Sequence, residues 1–503
     1  MGSSFIKSFI LICLATACLN SFSQPNKRTN FWFFGDYNGL DFNTGAPVED
    51  TSCTVHSGWA ATSVMSDTNG NLLFYSNGYK VWNKNHQIMA GSFNLSNFAL
   101  QAALCVPKPE SDSLYYIFTA RIFDEGDPMI YFIIDMAGDN GLGEVIDMDT
   151  LFAGWDAAEQ LTGAYHKNKK DIWILTRKYH EKKYAAFLIN SEGVINEPIL
   201  STAPDPPGSL YDDNVGYIKF SYDKNFLISC FRGNVAKRSR VEINKFNDET
   251  GFVEFLYSFR LKYVFPSMPD YRTYNCDFSP CSKYMYLAGY LPADSITHIY
   301  QFDMGHIEDS ILFIQSAIKI GEPQGVNIQL APDGKIYCFA RAPWDTHPLN
   351  NYVGIINNPG KPGTACNYQP NSFLLNHGYV HQPFVNFFTD FLFRFDFDGI
   401  CESDTFTFDP WFFPEPTYIE WNFGDPLSGI NNTSTIPHAT HKFTDGGTYE
   451  VSVYVEYPSG RIEETSRKVE VEYAPEPDLG PDTTFCYGDD IILNAECGPH
   501  FYI

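Results

Sequence analysis

Short apolar runs, each closed by a polar turn and answered by a second apolar run, dominate the first four fifths of the chain. The pattern recurs as WAATSVMSDTNGNLLFYS from Trp59, ALQAALCVPKPESDSLYYIFT from Ala99 and LTGAYHKNKKDIWILT from Leu161. It continues as VGYIKFSYDKNFLISC from Val215, TYNCDFSPCSKYMYLAG from Thr273 and VNIQLAPDGKIYCFA from Val326. Successive starts lie 40 to 62 residues apart, which suits a four-stranded antiparallel sheet with its loops and exceeds a solenoid turn of roughly 20 to 35 residues. Each repeat therefore predicts one propeller blade. Asp333-Gly334 supplies the positive φ that a tight hairpin needs, and the run Lys335 to Phe339 that follows has strand propensity.

A seventh first strand, Pro383 to Phe388, lacks a turn and second strand nearby. The segments Phe31-Trp32-Phe33-Phe34-Gly35 and Leu40-Asp41-Phe42-Asn43 look like its missing partners, so the two ends of the domain would share one blade. That closure removes exposed sheet edges. The expectation is a seven-bladed β-propeller over residues 24–400, with six or eight blades as the alternatives.

Composition agrees with an all-β chain. It has 43 Phe, 31 Tyr and 8 Trp beside 37 Gly and 31 Pro, and only 19% charged residues. At 503 residues it should divide into about three units, by a prior of roughly 100 to 200 residues each. The formal charge of −26 repels polyanions, so nucleic acid is not an expected partner. Lys7, the apolar stretch Phe9 to Leu19 and Ser21-Phe22-Ser23 have the order of a secretory signal peptide over residues 1–23. Ala15-Thr16-Ala17-Cys18 is a weaker lipobox alternative. No other stretch reaches the roughly 18 to 20 apolar residues that span a bilayer.

Export would place ten of the twelve cysteines where disulfides persist. Cys276 with Cys281, and Cys486 with Cys497, are close enough for local bridges, although spacing does not decide pairing. Cys105, Cys230 and Cys338 sit inside apolar runs and read as buried thiols.

Several phrases go further. FWFFGDYNGLDFN, NGNLLFYSNGYKVWNKNHQIM, VPKPESDSLYYIFT and IQLAPDGKIY resemble the N-terminal propeller of large secreted Bacteroidetes proteins labelled gliding-motility-associated and exported by the type IX system. The resemblance covers most of residues 30–395 and implies a surface or secreted location. After Cys401, Trp421-Asn422-Phe423-Gly424-Asp425, His441-Lys442-Phe443 and Gly446 to Val453 resemble a polycystic-kidney-disease (PKD) domain, an Ig-like β-sandwich, over residues 401–473. Asn422 and Pro426 depart from that motif, where the family has Asp and Gly. The resemblance implies structural roles for Trp421, Phe423, Gly424, Asp425, His441 and Tyr449, and a spacer or contact surface rather than a catalyst. Residues 474–503 resemble the first strands of a further β module, cut short before it could close, so a longer protein with a sorting domain is expected.

Catalytic signatures are missing from the sequence: there is no Gly-x-Ser-x-Gly elbow, His-Glu-x-x-His pair, Walker loop or Gly-x-Gly-x-x-Gly after a strand. Gly138 to Gly143 reads as a hairpin loop. Ser66 to Gly70 and Pro332-Asp333-Gly334 resemble sialidase Asp-boxes without their Trp, and no cationic cluster able to grip a sugar carboxylate is evident. His438 and His441 would lie on opposite faces of a strand. Asp212-Asp213-Asn214 suits a capped turn better than a Ca2+ loop, and no cofactor is expected. The loops entering the first strands, which crowd one mouth of a propeller channel, carry His56, Trp59, Gln101, Trp155, Gln160, Asp213, Asn214, Arg272, Gln324, His381 and Gln382. Pooled, they would form a polar and aromatic ring for glycans or surface proteins, with capping of blade backbone as the competing role. A binding or adhesion protein is expected; a propeller hydrolase of polysaccharide or peptide is the alternative.

Overall fold

The computed structural model describes residues 27–473, apart from 45, 58–59, 94–98, 100, 121–127, 169, 179–180, 182, 204–214, 223, 233–238, 261–271, 291–296, 323–326, 340–350, 378–379, 381–384, 393–394, 411, 413–415 and 457–461. Between Phe31 and Leu374 the described strands form six antiparallel sheets, one of them seven-stranded and spanning two blades through a long shared strand. β1 (Phe31–Phe34), β2 (Asn38–Asp41) and β3 (Val48–Glu49) belong to the closing blade. Blade 1 holds β4 (Ser63–Ser66), β5 (Leu72–Ser76) and β6 (Val81–Asn83). Blade 2 holds β7 (Ala103–Pro107), β8 (Leu114–Thr119), β9 (Pro128–Asp135) and the first half of β10 (Glu144–Tyr165). The second half of β10 opens blade 3, followed by β11 (Ile172–Lys178), β12 (Lys183–Ile189) and β13 (Ile199–Thr202). Blade 4 is β14 (Gly216–Phe220), β15 (Phe226–Phe231), β16 (Arg240–Phe246) and β17 (Val253–Phe259). Blade 5 is β18 (Arg272–Phe278), β19 (Tyr284–Tyr290), β20 (Thr297–Asp303) and β21 (Ile318–Gly321). Blade 6 is β22 (Asn327–Leu330), β23 (Ile336–Phe339), β24 (Tyr352–Ile356) and β25 (Tyr368–Leu374).

Strands within each blade pair in simple sequential order, and the first strands β10, β14, β18 and β22 touch their neighbours around a central axis. This is a seven-bladed β-propeller. The turns follow from their residues: the Asp67 carboxylate accepts the N–H groups of Asn69 and Asn71, both at 2.9 Å, while Gly70 takes φ +87°. The blades bury apolar faces against one another, with Trp32 and Phe33 in one cluster and Phe74 and Phe118 in another, all fully buried.

Closure brings the two ends of the domain together. The Asn386 N–H donates to the Thr62 carbonyl at 2.7 Å, and the Ser63 hydroxyl donates to the Asn386 carbonyl at 2.9 Å. Phe387 packs on Trp32 with ring centroids 5.7 Å apart. Residues 385–388 thus take the inner position of the closing blade without a regular ladder, and 383–384 lie outside the described residues.

A second unit follows. β26 (Phe395–Asp398), β27 (Phe406–Pro410) and β30 (Ala439–His441) make one sheet. β28 (Tyr418–Asn422), β29 (Thr433–Ser434), β31 (Gly447–Glu456) and β32 (Ile462–Val471) make the other. β26 lies before the boundary expected near residue 400, yet it pairs with β27, so the sandwich begins at Phe395. Its alternating apolar residues meet in a core of Phe395, Phe408, Trp421, Phe423, Val451 and Val453. The expected further module, residues 474–503 with Cys486 and Cys497, lies outside the described residues, as does the signal segment.

Candidate functional site

Because strand direction alternates, the loops entering each first strand and the hairpins joining second to third strands emerge at the same end of the propeller. Of the eleven residues expected there, Trp59, Asp213, Asn214, Gln324, His381 and Gln382 lie outside the described residues, and Trp155 is described by its backbone alone. The remaining four do not form one ring.

Gln101 and Gln160 are buried inside the channel, 3% and 0% exposed. A first strand presents a free edge to the channel, and its N–H and C=O groups need partners. The Gln101 amide serves as a strand peptide would: Oε1 accepts the N–H of Ile218 at 2.8 Å and of Leu161 at 3.2 Å, while Nε2 donates to the Ile218 carbonyl at 3.0 Å. Asn386 Nδ2 donates to the carbonyls of Ala103 and Leu161, both at 3.0 Å. Gln160 Nε2 donates to the Tyr217 and Cys230 carbonyls at 3.4 and 3.2 Å. These amides fasten the inner strands of blades 2, 3 and 4 to the closing segment. In this arrangement both side chains cap blade backbone.

Deeper in the channel, Lys219 Nζ donates to Asp277 Oδ2 at 2.6 Å and to Gln329 Oε1 at 3.1 Å. Asp277 also accepts the Leu330 N–H at 2.6 Å and the Tyr222 hydroxyl at 2.9 Å. Burial and the adjacent Asp277 charge push the Tyr222 phenol well above its ordinary pKa. This group ties blades 4, 5 and 6 together.

His56 remains at the surface. Its side chain is 63% exposed, and its Nδ1 stands 2.5 Å from Asp36 Oδ1. Tyr37 lies stacked beside it, centroids 6.3 Å apart and 46% exposed, and the Tyr79 hydroxyl donates to the His56 carbonyl at 2.5 Å. Asp36 and Tyr37 come from the β1–β2 hairpin, His56 from the loop into blade 1, and Tyr79 from the β5–β6 hairpin. All are mouth-end loops. Burial first, then the charge of Asp36, raises the pKa of Tyr79, which keeps its hydroxyl a donor. The sequence ring contained His56 but missed Tyr37 and Tyr79, because it drew only on loops entering first strands and left out the hairpins from second to third strands.

Other expectations resolve locally. Cys276 and Cys281 are both free thiols: Cys276 is held in mid-β18 opposite Leu287, whereas Cys281 sits in the following turn beside Ser279 Oγ at 3.4 Å. Cys105, Cys230 and Cys338 are free and buried, and burial pushes the Cys105 thiol up to about 12. Gly138 to Gly143 forms a hairpin loop with a short 3-10 turn. His438 pairs with Asp409 at 2.8 Å and His441 with Asp425 at 3.1 Å, so the two histidines serve separate partners.

The sandwich motif residues support its fold. Trp421 is fully buried, and its Nε1 donates to the carbonyls of Ile436 and Pro437 at 3.0 and 3.1 Å. Gly424 takes φ +70°, where a Cβ would come within 2.6 Å of the Glu450 carbonyl oxygen. Asp425 accepts from the Thr444 hydroxyl at 2.7 Å and its N–H at 3.0 Å, and His441 stacks on Phe423 at 4.3 Å. The Tyr449 hydroxyl donates to the Asp445 carbonyl at 2.8 Å. Asn422 keeps the turn despite its departure from the motif, since its Oδ1 accepts the Gly424 N–H at 2.9 Å. Pro426 opens the 3-10 turn Pro426–Asn432.

Comparison with known proteins agrees with this second unit. Residues 404–471 match the PKD domain family. No curated protein matches the chain. Among solved structures, the Dos1 propeller is similar at 12% identity over 77% of this chain and 90% of that one, with a TM-score of 0.40. The extracellular domain of a one-component system protein from B. thetaiotaomicron is similar at 11% identity, covering 90% of this chain and 58% of that one, with a TM-score of 0.37. The PKD1 domain of Vibrio anguillarum Epp is 21% identical over 16% of this chain and 90% of that one, with a TM-score of 0.14.

Proposed function

We propose that this is an extracellular or surface binding protein, whose propeller presents its mouth end to a glycan or surface protein and whose PKD sandwich acts as a spacer. The observation that carries the reading is the rim of exposed Tyr37 and His56 with half-buried Tyr79, contributed by three separate mouth-end loops. Stacked, partly exposed rings with polar edges suit a sugar face or an apolar side chain. The signal-like N-terminus and the PKD match support a place outside the cytoplasm, and no helix among the described residues is long and apolar enough to cross a membrane. Adhesion, glycan capture or gliding on the surface of a Bacteroidetes cell, with type IX export, follows from the sequence resemblance.

The hydrolase reading has one observation in its favour, the Asp36–His56 pair, in which a carboxylate orients an imidazole as it would a general base. Binding of the purified chain to an array of polysaccharides and surface glycoproteins, with product analysis of every hit, separates the two. Binding without shorter products, weakened about 2- to 12-fold in Tyr37→Ala, is expected from a stacking contribution of about 0.5–1.5 kcal/mol. Products whose release stops in Asp36→Asn would establish the hydrolase instead. Full affinity in Tyr37→Ala would remove the rim from the ligand face.

A further inference from the structure

The acidic composition hides a local concentration of positive charge. Arg177 lies near the end of β11, Arg232 directly follows β15, Arg240 opens β16 and Arg272 opens β18. By the alternation of strand direction, all four stand at the mouth end of blades 3, 4 and 5. Packing draws them together. The guanidinium carbons of Arg177 and Arg240 lie 4.7 and 4.2 Å from the centre of the Phe231 ring, one residue before Arg232. Beside Arg272, the Thr273 hydroxyl donates to the Phe231 carbonyl at 2.8 Å and to the Arg240 carbonyl at 3.4 Å.

Two buried carboxylates offset part of this charge: Glu159 of blade 3, whose charge is felt at Tyr217 of blade 4, and Glu242. Glu242 accepts from Arg177, from Arg240 Nε at 2.9 Å and from the Tyr184 hydroxyl at 2.7 Å, with Arg177 and Glu242 fully buried. Charges held in such a low-dielectric setting act on their surroundings with little screening. The two outer arginines, Arg232 and Arg272, are only partly buried. Arg272 Nε is shielded from solvent and has no hydrogen-bond partner among the described residues. That nitrogen is out of a ligand's reach, so it is the partly exposed remainder of the Arg272 side chain that would offer N–H donors to an anionic oxygen, the acceptor that pairs best with a guanidinium.

We propose that the mouth end of blades 3 to 5 binds an anionic group, a carboxylate or sulfate of an acidic polysaccharide, with Arg272 as the principal contact and Arg232 as its neighbour. Arg177, Arg240 and Glu242 form a buried, ion-paired group at the same end of blades 3 and 4. The planar guanidinium fork matches the two oxygens of a carboxylate or the face of a sulfate. The cluster that no stretch of sequence displays is assembled by the fold from positions 177, 232, 240 and 272. The proposal rests on the mouth end being the ligand face, and it specifies the chemistry of the ligand there.

The test titrates the full chain with polygalacturonate oligosaccharides, dextran sulfate and neutral dextran, at low and at high salt. Binding of one or both anionic polymers in preference to neutral dextran is expected, weakening as salt rises. Arg272→Gln should reduce that affinity about 10- to 100-fold at unchanged melting temperature, and Arg272→Lys should restore part of it. The uronate and sulfate arms identify which anion is preferred. Neutral glycans bound with sensitivity to Tyr37→Ala but not to Arg272→Gln would overturn the anion site while leaving the ligand face standing. No binding of any polymer here and no hit on the array would overturn both.

Discussion

Replacing Gln101 with methionine tests whether the channel is a fastened core or a ligand site. Methionine keeps the length and approximate volume of glutamine and removes both polar groups. Three peptide groups then lose their partner: the N–H groups of Ile218 and Leu161 and the carbonyl of Ile218, now bonded at 2.8, 3.2 and 3.0 Å. Each buried group left unpaired costs about 1–3 kcal/mol, so three at the low end of that range give about 3 kcal/mol. Gln160→Met is the internal control. Its contacts are the longer ones, 3.4 and 3.2 Å, and its Oε1 has no hydrogen-bond partner among the described residues. Removing that amide also removes a buried unsatisfied oxygen, so the net cost should be about 1 kcal/mol or less. Urea unfolding of the full chain, followed by tryptophan fluorescence, measures both. A Gln101→Met loss below about 0.5 kcal/mol, or smaller than that of Gln160→Met, would refute the fastening argument. Lost ligand binding at full stability would return Gln101 to the ligand face.

Two further outcomes follow. Burial alone would raise the pKa of Asp425, but hydrogen bonds from Thr444 and His441, and the charge of His441, hold it below its ordinary value. Its contribution is therefore present above the unfolded pKa of about 3.9 and is lost as pH falls through the depressed folded value, so sandwich unfolding should become easier below about pH 4, with a flatter profile in Asp425→Asn. In the propeller, Glu242→Gln removes the charge shared by Arg177 and Arg240 and should cost about 3–5 kcal/mol in chemical denaturation, whereas an exposed pair such as Lys245 with Glu308 should cost under about 1 kcal/mol when broken.

Much of the architecture is legible in the sequence, because it rests on short-range rules. Alternating apolar residues, Asp-Gly and Asn-Gly turns and the 40- to 62-residue period reflect requirements that each blade meets within its own segment. The sandwich motif is equally local: Trp421 and Phe423 alternate within a few residues, and Gly424 stands where only a residue without a Cβ fits. The blade ends could be paired because the segment missing near residue 388 was present near residue 31.

The site was less legible, for a geometric reason. Gln101 and His56 both occupy loops entering first strands, yet one side chain turns into the channel to cap Ile218 and the other lies on the surface against Asp36. The sequence names the loop but not the direction of the side chain. Tyr37 and Tyr79 meet His56 across three loops, and Arg177, Arg232, Arg240 and Arg272 converge from three blades, so neither group has a signature at any fixed spacing. Local propensity and periodicity determined which strands form and how they fold into blades. Only the closing of seven blades about one axis decided which polar groups fasten the channel and which charges gather at its mouth, since those contacts join residues far apart in the chain and depend on the packing between blades.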